Sequence, residues 1–334
     1  MTSNYEKLET ASKQYEELCL LAAAAEVDLF TPLTQQALSA NALSARIQTQ
    51  PKATVIVLDA LTALGYLGKS DETEPRYRVA EEFRELLDIG HPRTFIPMLR
   101  HRINCMRNWQ QLSVILRTGQ VAQKTASPLG VDEDYRSFVL AMNSVGVVFA
   151  QRVADHLQQA KLLNFKRMLD VGGASGTYTL AFLERNPQAE AILFDRPAAV
   201  EEARKRFAKT PFVGQVQFVG GDFGKDSLPK GADFAWVSAI IHQFGRDQAQ
   251  ALYRNVHQAL ENGGTIAIRD FVMDSTHTQP TGGTLFAVNM LTATANGRCY
   301  TFDEIGEDLR SAGFSEVRLA VPEKSMGAVV TARK

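Results

Sequence analysis

Cysteine is scarce in this chain of 334 residues, which contains only Cys19, Cys105 and Cys299. The three are far apart in sequence, and none belongs to a Cys-x-x-Cys pair. An odd, scattered set indicates neither a disulfide framework nor a zinc knuckle. No pair of the six histidines has the spacing of metal ligands, so we expect no bound metal.

An excess of charge and a long apolar run are also missing. The 36 Lys and Arg residues are balanced by 37 Asp and Glu residues, which does not indicate nucleic acid or an anionic membrane as partner. The longest apolar stretch, residues 19–26, is too short to span a bilayer. The first residues lack the basic-then-apolar pattern of a signal peptide. We therefore expect a cytoplasmic protein with no nucleic-acid and no membrane partner.

Two common phosphate-binding patterns are absent from the most glycine-rich turn. No Gly-Lys-Ser/Thr follows it, and Ala174 stands where the dinucleotide fingerprint needs its second glycine. The turn instead reads Asp170-x-Gly172-x-Ala174-x-Gly176, close to the Asp-x-Gly-x-Gly-x-Gly turn of enzymes that use S-adenosylmethionine (SAM). Gly172 and Gly176 allow a sharp turn and a close approach to a ligand. This pattern favours SAM, with a purely structural turn as the alternative.

The second acid of this region is Asp195, which ends the apolar run at residues 191–194. It lies about 20 residues past the glycines, the distance typical of nucleoside-binding α/β units. At that place a carboxylate can accept hydrogen bonds from both ribose hydroxyls. The sequence therefore predicts a nucleoside site formed by the glycine turn and Asp195.

The first 95 residues are predicted to be mostly helical. Residues 5–27 are rich in helix-forming Ala, Leu and Glu, and residues 52–65 carry apolar side chains at helical spacing up to Gly65, the predicted C-cap. Residues 66–69 and 77–80 flank an acidic turn and predict a hairpin. Helices followed by a hairpin indicate a winged helix.

Residues 96–160 are predicted to form further helices, most clearly at 109–117 and 135–157. No acid lies between Asp88 and Asp132, whereas six basic residues do: Arg93, Arg100, Arg102, Arg107, Arg117 and Lys124. The favoured interpretation is a face that pairs with the acidic first segment. The alternative is an anion-binding pocket.

Strands and helices alternate from residue 166 onward. Predicted strands lie at 167–171, 191–194, 216–219, 234–239 and 265–269, a helix at 247–260, and a terminal hairpin at 317–320 and 327–332. This order is typical of an α/β domain. In open α/β sheets, ligands bind beyond the carboxyl ends of the strands. Each predicted parallel strand delivers a glycine or a titratable group there, in order Gly172 with Gly173, Asp195, Asp222, His242 and Asp270.

Three of these positions suggest specific chemistry. Asp222 can accept from the exocyclic amine of adenine and Phe223 can cover a purine face; the alternative is a loop acid and a core phenylalanine. His242 ends an apolar strand, and its place at the ligand edge favours catalysis over a core histidine. A phenol is mostly neutral at neutral pH, so methyl transfer to it benefits from a base. Asp270 is the candidate acceptor that orients this base, with a surface acid as the alternative.

The chain resembles the SAM-dependent small-molecule O-methyltransferases, the family of plant caffeic acid and animal acetylserotonin methyltransferases. The resemblance is carried by five segments, at residues 27–33, 138–142, 170–176, 194–197 and 220–223. It implies an α/β fold, a class I methyltransferase Rossmann-like sheet with an N-terminal helical winged-helix dimerisation domain. It further implies a homodimer, SAM as methyl donor, and a small hydroxylated acceptor that is aromatic or polycyclic.

The resemblance also assigns domains and residues. The dimerisation domain would occupy 1–95, a helical region contributing to the substrate pocket 96–160, and the SAM-binding domain 161–334. The catalytic residues would be His242 and Asp270. The cofactor site would contain Gly172, Gly173, Gly176, Asp195, Asp222, Phe223 and Ser238, and the acceptor site Phe138, Met142 and Asn289.

The chain departs from the family pattern near the base. Many relatives have His-Asp-Trp where this chain has His242-Gln-Phe, and plant members carry Lys where Ser238 stands. Cys299 takes the place of a second orienting acid, so base activation would depend on Asp270 alone. The alternatives are a SAM-binding relative without methyl transfer and a winged-helix regulator that senses SAM. Acids at positions 71, 72 and 74 of the wing oppose DNA binding, which requires Lys or Arg.

Overall fold

The computed structural model describes residues 3–334, except for the side chains at positions 145 and 148. The chain divides into two compact units. The first comprises the residues up to Gln110 together with Gln123–Ser144, and the second comprises Gln111–Ala122 together with Val145–Lys334.

The first part of the chain is mainly helical, as predicted. Its elements are α1 (Asn4–Lys13), α2 (Tyr15–Glu26), α3 (Phe30–Gln35), β1 (Leu38–Ser39), α4 (Ala40–Ile47), α5 (Pro51–Ala63), β2 (Leu67–Lys69), β3 (Arg76–Val79), a 3-10 helix (Glu81–Phe83), α6 (Ile96–Trp109), α7 (Leu112–Thr118) and α8 (Val131–Gln159).

Two predicted helices differ from the structure in their bounds. The single helix expected at 5–27 is interrupted at Gln14, between α1 and α2. The helix expected at 109–117 is present as α7 but begins later, at Leu112, because α6 ends at Trp109 and the chain is interrupted between them. Glutamine is a good helix former, so residue types alone do not reveal either interruption.

The end of α5 and the hairpin after it follow the prediction. Gly65 adopts a φ of 83° just past the helix, its N–H reaches the carbonyl of Thr62, and the Tyr66 N–H reaches that of Leu61. This pair of bonds is a Schellman C-cap, which glycine favours because it lacks a Cβ. The strands β2 and β3 then pair antiparallel, so the predicted hairpin is confirmed.

One basic residue of α6, Arg107, pairs with an acid of the first segment, as the favoured interpretation predicted for the whole basic set. The Arg107 guanidinium lies 2.7 Å from Oε1 of Glu26 in α2. The buried Arg100 donates to the carbonyl of Ala25 at 2.9 and 3.1 Å and pairs with Glu133 at 3.2 Å. These contacts tie α6 to α2 within the first unit.

The second part of the chain contains the sheet. Its elements are β4 (Arg167–Val171), α9 (Thr177–Arg185), β5 (Glu190–Asp195), α10 (Pro197–Phe207), a 3-10 helix (Val213–Gln215), β6 (Val216–Gly220), β7 (Ala232–Ser238), a 3-10 helix (Ile241–Gln243), α11 (Arg246–Ala259), β8 (Leu260–Arg269), β9 (Val272–Met273), α12 (Thr281–Ala293), β10 (Tyr300–Thr301), α13 (Phe302–Ser311), β11 (Ser315–Val321) and β12 (Val329–Arg333).

Seven strands form one sheet in the order β11-β12-β8-β7-β4-β5-β6. The strands β4 to β8 run parallel, and β12 pairs antiparallel with both β8 and β11. This arrangement confirms the predicted α/β sheet and its terminal hairpin. The strand β8 begins at Leu260 rather than 265, because a register shift near Gly263 adds an irregular first section.

Side chains alternate between the two faces of the sheet along each strand, and helices cover both faces, so both are buried. One face packs on α11 and α13 and includes Leu169 and Ile268. The other packs on α8, α9 and α10 and includes Met168 and Ala267. With both faces covered, the edge at the carboxyl ends of β4 to β8 is where ligand-binding groups can be presented.

Among the described residues, α8 alone has the length and apolar composition of a helix that could cross a membrane. It contains 29 residues. One such helix is weak evidence for a membrane span, because long core helices of globular proteins have the same properties. Its first turn is acidic, and Arg152, in the part of α8 that belongs to the second unit, pairs with Glu323 of the same unit.

Candidate active site

The glycine turn after β4 has a backbone that glycine favours. Gly172 and Gly176 have φ values of 72° and 74°, and Gly176 immediately precedes α9. A Cβ on Gly172 would lie 2.4 Å from Ile240, and one on Gly176 would lie 2.5 Å from Phe207. Both glycines are therefore required by their neighbours in the protein as well as by the turn. Ala174 adopts a φ of 47° between them, so the turn keeps a left-handed residue without its second glycine.

A buried acid lies directly behind this turn. Asp170, the fourth residue of β4, accepts a hydrogen bond from the Thr179 hydroxyl at 2.6 Å. A Cβ on Gly173 would lie 2.9 Å from the Asp170 carboxyl group, which explains the glycine there. Burial, with a smaller contribution from the nearby charge of Asp195, raises the pKa of Asp170 to about 7. The carboxyl group is therefore partly protonated at neutral pH.

Asp195 lies at the carboxyl end of β5 and faces the turn. Its Oδ2 accepts from the Ala174 N–H at 2.7 Å, and its Oδ1 accepts from the Arg196 N–H at 2.6 Å. Each carboxylate oxygen has a second lone pair, so both can still accept from a ligand hydroxyl. The predicted arrangement of glycine turn and Asp195 thus fits the ribose and amino-acid portions of SAM.

The next strand end carries the predicted adenine contacts. Asp222 follows β6, accepts from the Gly224 N–H at 3.0 Å and has Lys225 at 3.6 Å. The Phe223 ring lies 6.1 Å from the Phe244 ring at an interplanar angle of 75°. These two rings line a cavity of about 170 Å³ beside α11. An apolar ring next to a carboxylate fits a purine with an exocyclic amine.

His242 and Asp270 are in contact, as the sequence predicted. Nδ1 of His242 lies 2.9 Å from both carboxylate oxygens of Asp270. His242 belongs to the 3-10 helix after β7, and Asp270 immediately follows β8, so neighbouring parallel strands bring them together. Both are buried, with 6% and 2% of their surface exposed. Since the carboxylate engages Nδ1, Nε2 is the imidazole nitrogen that can take a proton.

Other contacts hold this pair in place. Oδ1 of Asp270 also accepts from the Phe271 N–H at 2.8 Å. The Phe286 ring of α12 meets the imidazole edge-on, with centroids 4.8 Å apart at 87°. The backbone of His242 is tied down because its carbonyl accepts from the Arg298 N–H at 2.9 Å. Phe286 was not predicted, because no local sequence signal shows which ring a distant helix brings to the base.

Cys299 provides no second acid at this site. Its side chain is buried. Burial raises the pKa of the thiol to about 12, and the negative charge of Asp270 contributes to the rise. The thiol is therefore neutral. Among the described residues, the carboxylate in contact with His242 is that of Asp270.

Ser238 has a neighbour that the sequence analysis missed. It ends β7, and its hydroxyl accepts from the Arg269 guanidinium at 3.1 Å. Arg269 is the last residue of β8 and is buried. A charged residue at the end of the apolar run 265–268 was the signal in the sequence that could have identified it.

The predicted acceptor residues lie in different units. Phe138 and Met142 belong to α8 in the first unit, where both are exposed and Phe138 lies 5.2 Å from the His101 ring. Asn289 belongs to α12 in the second unit. Their joint assignment to one acceptor site stays a prediction. Over residues 3–334, the structure shows no group of three or more His, Cys, Asp or Glu side chains that could hold a metal ion.

Two family profiles match the sequence. An O-methyltransferase domain matches residues 129–315, which is more than half of the chain. An O-methyltransferase dimerisation domain matches residues 17–84.

Known proteins resemble the chain over nearly its full length. The tetracenomycin polyketide synthesis 8-O-methyl transferase TcmO of Streptomyces glaucescens is 32% identical over 305 residues, covering 89% of this chain and 88% of that protein. The 3-hydroxy-5-methyl-1-naphthoate 3-O-methyltransferase of Streptomyces sahachiroi is 28% identical over 89% of this chain and 86% of that protein. The structure of human N-acetylserotonin methyltransferase in complex with SAM superposes with a TM-score of 0.81 at 24% identity, covering 100% of this chain and 99% of that one. At that identity, the superposition shows a shared fold.

Proposed function

The chain belongs to the O-methyltransferase family, and on this premise we propose that it transfers the methyl group of SAM to a hydroxyl group of a small aromatic or polycyclic metabolite. Two relatives support this acceptor class, since one is named for a polyketide and the other for a naphthoate. The complex of the human structural neighbour with SAM supports the donor. The family membership itself makes the protein an enzyme.

The observation that carries the proposal is the contact between His242 and Asp270 at 2.9 Å. The pair lies at the same sheet edge as the glycine turn, Asp195 and Asp222, because all of them follow parallel strands. A base at this edge faces the place where the donor's reactive methyl group is expected.

SAM, when bound, supplies an electrophilic methyl group on a positively charged sulfur. His242 then removes the proton of the acceptor hydroxyl through Nε2, so that the oxygen attacks with greater electron density. Asp270 accepts from Nδ1–H and stabilises the imidazolium that forms. With SAM bound, the proton of the acceptor hydroxyl would end on His242, and SAM would supply the methyl group that the acceptor oxygen takes.

Binding of the donor is assigned to the residues after the first three parallel strands. Asp195 would accept from the ribose hydroxyls, and Asp222 with Phe223 would take the adenine. Gly172, Gly173 and Gly176 shape the turn. The contacts of the acceptor are assigned to Phe138, Met142 and Asn289.

Assembly and location form a further part of the proposal. The match to a dimerisation domain supports a homodimer through the first unit. Within the described chain, α1 buries none of its side chains and leaves Tyr5 and Leu8 exposed, which suits a helix that packs on a partner. We place the dimer in the cytoplasm. The exposed acids at positions 71, 72 and 74 of the hairpin disfavour a DNA-binding role.

Incubation of the full-length protein with methyl-labelled SAM and a panel of hydroxylated aromatic compounds tests this function. We expect label in the acceptor and a new methyl ether, identified by mass spectrometry and by NMR of the product. Transfer to nitrogen or carbon would contradict the assignment to oxygen. If the protein binds SAM but methylates no member of the panel, the alternative function is favoured, that of a SAM-binding relative without methyl transfer. This alternative competes because Cys299 stands in place of a second acid.

A further inference from the structure

Arg269 is a buried cation for which the described residues offer no carboxylate. Only 5% of its surface is exposed. One guanidinium nitrogen donates to the Ser238 hydroxyl at 3.1 Å, and Nε has no hydrogen-bond partner among the described residues. Burying a charge costs several kcal/mol or more unless an opposite charge compensates it. Such an arginine therefore requires an anion that the chain itself does not supply.

The side chains around Arg269 are donors and rings. The guanidinium carbon lies 5.2 Å from the centroid of the Tyr178 ring and 5.8 Å from that of Phe149. Trp236 lies 5.4 Å from Tyr178. In the described part of the chain, the Trp236 indole nitrogen is also buried without a partner, and the Tyr178 hydroxyl is buried beside the Ser238 hydroxyl. We call Arg269, Ser238, Tyr178 and Trp236 the Arg269 cluster; it is rich in donors and has few acceptors.

The position of the cluster in the sheet indicates which ligand it faces. Ser238 and Arg269 are paired across β7 and β8, and each lies at the carboxyl end of its strand. Tyr178 belongs to the first turn of α9, directly after Gly176. The cluster thus lies beside the glycine turn on one side of the edge and beside Asp270 on the other.

Strand order then fixes the direction of the donor. Along the sheet the strands run β8-β7-β4-β5-β6, with the glycine turn after β4, Asp195 after β5 and Asp222 after β6. If ribose and adenine lie over β5 and β6, the amino-acid end must extend the other way, over β7 and β8. The carboxylate at that end is the one anionic group of SAM.

We propose that Arg269 is the counter-charge for the carboxylate of the methyl donor, and that Ser238 holds its guanidinium in place. The assignment rests on the proposed function, since it takes SAM as the donor. An arginine can hold a carboxylate through two parallel hydrogen bonds, which fixes the orientation as well as the charge. Plant members of the family carry Lys at the position of Ser238. In this chain, Arg269 supplies a cation from the neighbouring strand β8, which explains why position 238 can be a serine.

The test is calorimetric titration of the full-length protein with two ligands, S-adenosylhomocysteine and its decarboxylated analogue. In Arg269→Met, S-adenosylhomocysteine should bind about 10- to 100-fold more weakly, the effect of losing a charged hydrogen-bond partner. The decarboxylated analogue should bind wild type and variant equally, within about threefold. Arg333→Met is the matched control, because Arg333 is an exposed arginine at the end of β12 that donates to Thr265; it should leave both affinities unchanged.

Three other results of these titrations would each contradict a specific part of the proposal. Equal weakening of both ligands in Arg269→Met would show that Arg269 supports the fold rather than the carboxylate. Unchanged binding of both would remove Arg269 from the site. If the wild-type protein binds neither ligand, the proposal that SAM is the donor is wrong. This result differs from an unexpected affinity in the variant alone, which concerns only the role of Arg269.

A second variant keeps the test decisive if Arg269→Met does not fold. Ser238→Ala retains the charge and frees the guanidinium from its anchor. It should reduce the preference for S-adenosylhomocysteine over the decarboxylated analogue by about 3- to 10-fold, the effect of one neutral hydrogen bond. An unchanged preference would contradict the proposed role of Ser238 and, with it, the placement of the guanidinium.

Discussion

Replacing Asp270 by asparagine should slow methyl transfer without removing it. In the wild type, the imidazole Nδ1 lies 2.9 Å from both carboxylate oxygens. The asparagine oxygen should remain at the Oδ1 position, because the Phe271 N–H donates to it at 2.8 Å, and there it can still accept from Nδ1. The tautomer of His242 is then preserved, and what is lost is the negative charge.

The size of the effect follows from that lost charge. A hydrogen bond to a charged group is worth about 1.5–3 kcal/mol and a neutral one about 0.5–1.5 kcal/mol. The difference of about 1–1.5 kcal/mol acts when the imidazolium forms, so the rate should fall roughly 5- to 15-fold. With Cys299 neutral, no neighbouring acid compensates for the change.

The assay is a single-turnover measurement of labelled methyl transfer at saturating donor. Thermal unfolding and the affinity for S-adenosylhomocysteine should stay near wild type, since Asp270 is not assigned to the donor. Cys299→Ala is the matched control and should change the rate by less than about threefold, because it removes a neutral group. A wild-type rate for Asp270→Asn would refute the orienting role, and a loss as large as that from removing the imidazole would refute the magnitude.

Three further predictions concern donor binding, stability and assembly. Asp195→Ala should weaken S-adenosylhomocysteine by about 1–3 kcal/mol in calorimetry, with Asp195→Asn affected less, and unchanged affinity would remove Asp195 from the site. The folded-state pKa of Asp170, about 7, exceeds the unfolded value of 3.8, so its contribution to stability is full below the unfolded value and is lost as the pH rises through 7. Asp170→Asn should therefore gain thermal stability relative to wild type as the pH rises from about 5 to about 8, and a difference independent of pH would contradict this. Full-length protein should be a dimer by light scattering, and Tyr5→Asp with Leu8→Asp should shift it towards monomer; an unaffected dimer would exclude α1 from the interface.

Much of the fold was predictable because its signals are local. The parallel strands β4, β5, β6 and β7 lie within two residues of their predicted bounds, since each is a short apolar run between turn residues. The contact between His242 and Asp270 was predictable because neighbouring parallel strands end at the same edge. Gly65 was recognisable as the residue following a helix.

The parts that escaped prediction depend on residues distant in sequence. The edge contact of Phe286 with His242 and the thiol of Cys299 near Asp270 come from segments beyond the parallel strands. The lack of a partner for Nε of Arg269 among the described residues is a property of the packed interior and leaves no pattern along the chain. The glycines were recognised for their turn, whereas Phe207 and Ile240, which exclude a Cβ from them, could not be inferred.

The transfer rate of His242→Ala tests the central claim most directly. Once an acceptor is identified, the single-turnover rate at neutral pH should fall by about 10²–10⁴, the usual contribution of a general base. Folding and affinity for S-adenosylhomocysteine should be retained, and His257→Ala, which alters a histidine packed on Phe314 away from the site, should transfer methyl at the wild-type rate. If His242→Ala instead methylates the acceptor as fast as wild type, positioning of the two substrates suffices and the assignment of His242 as the base is wrong.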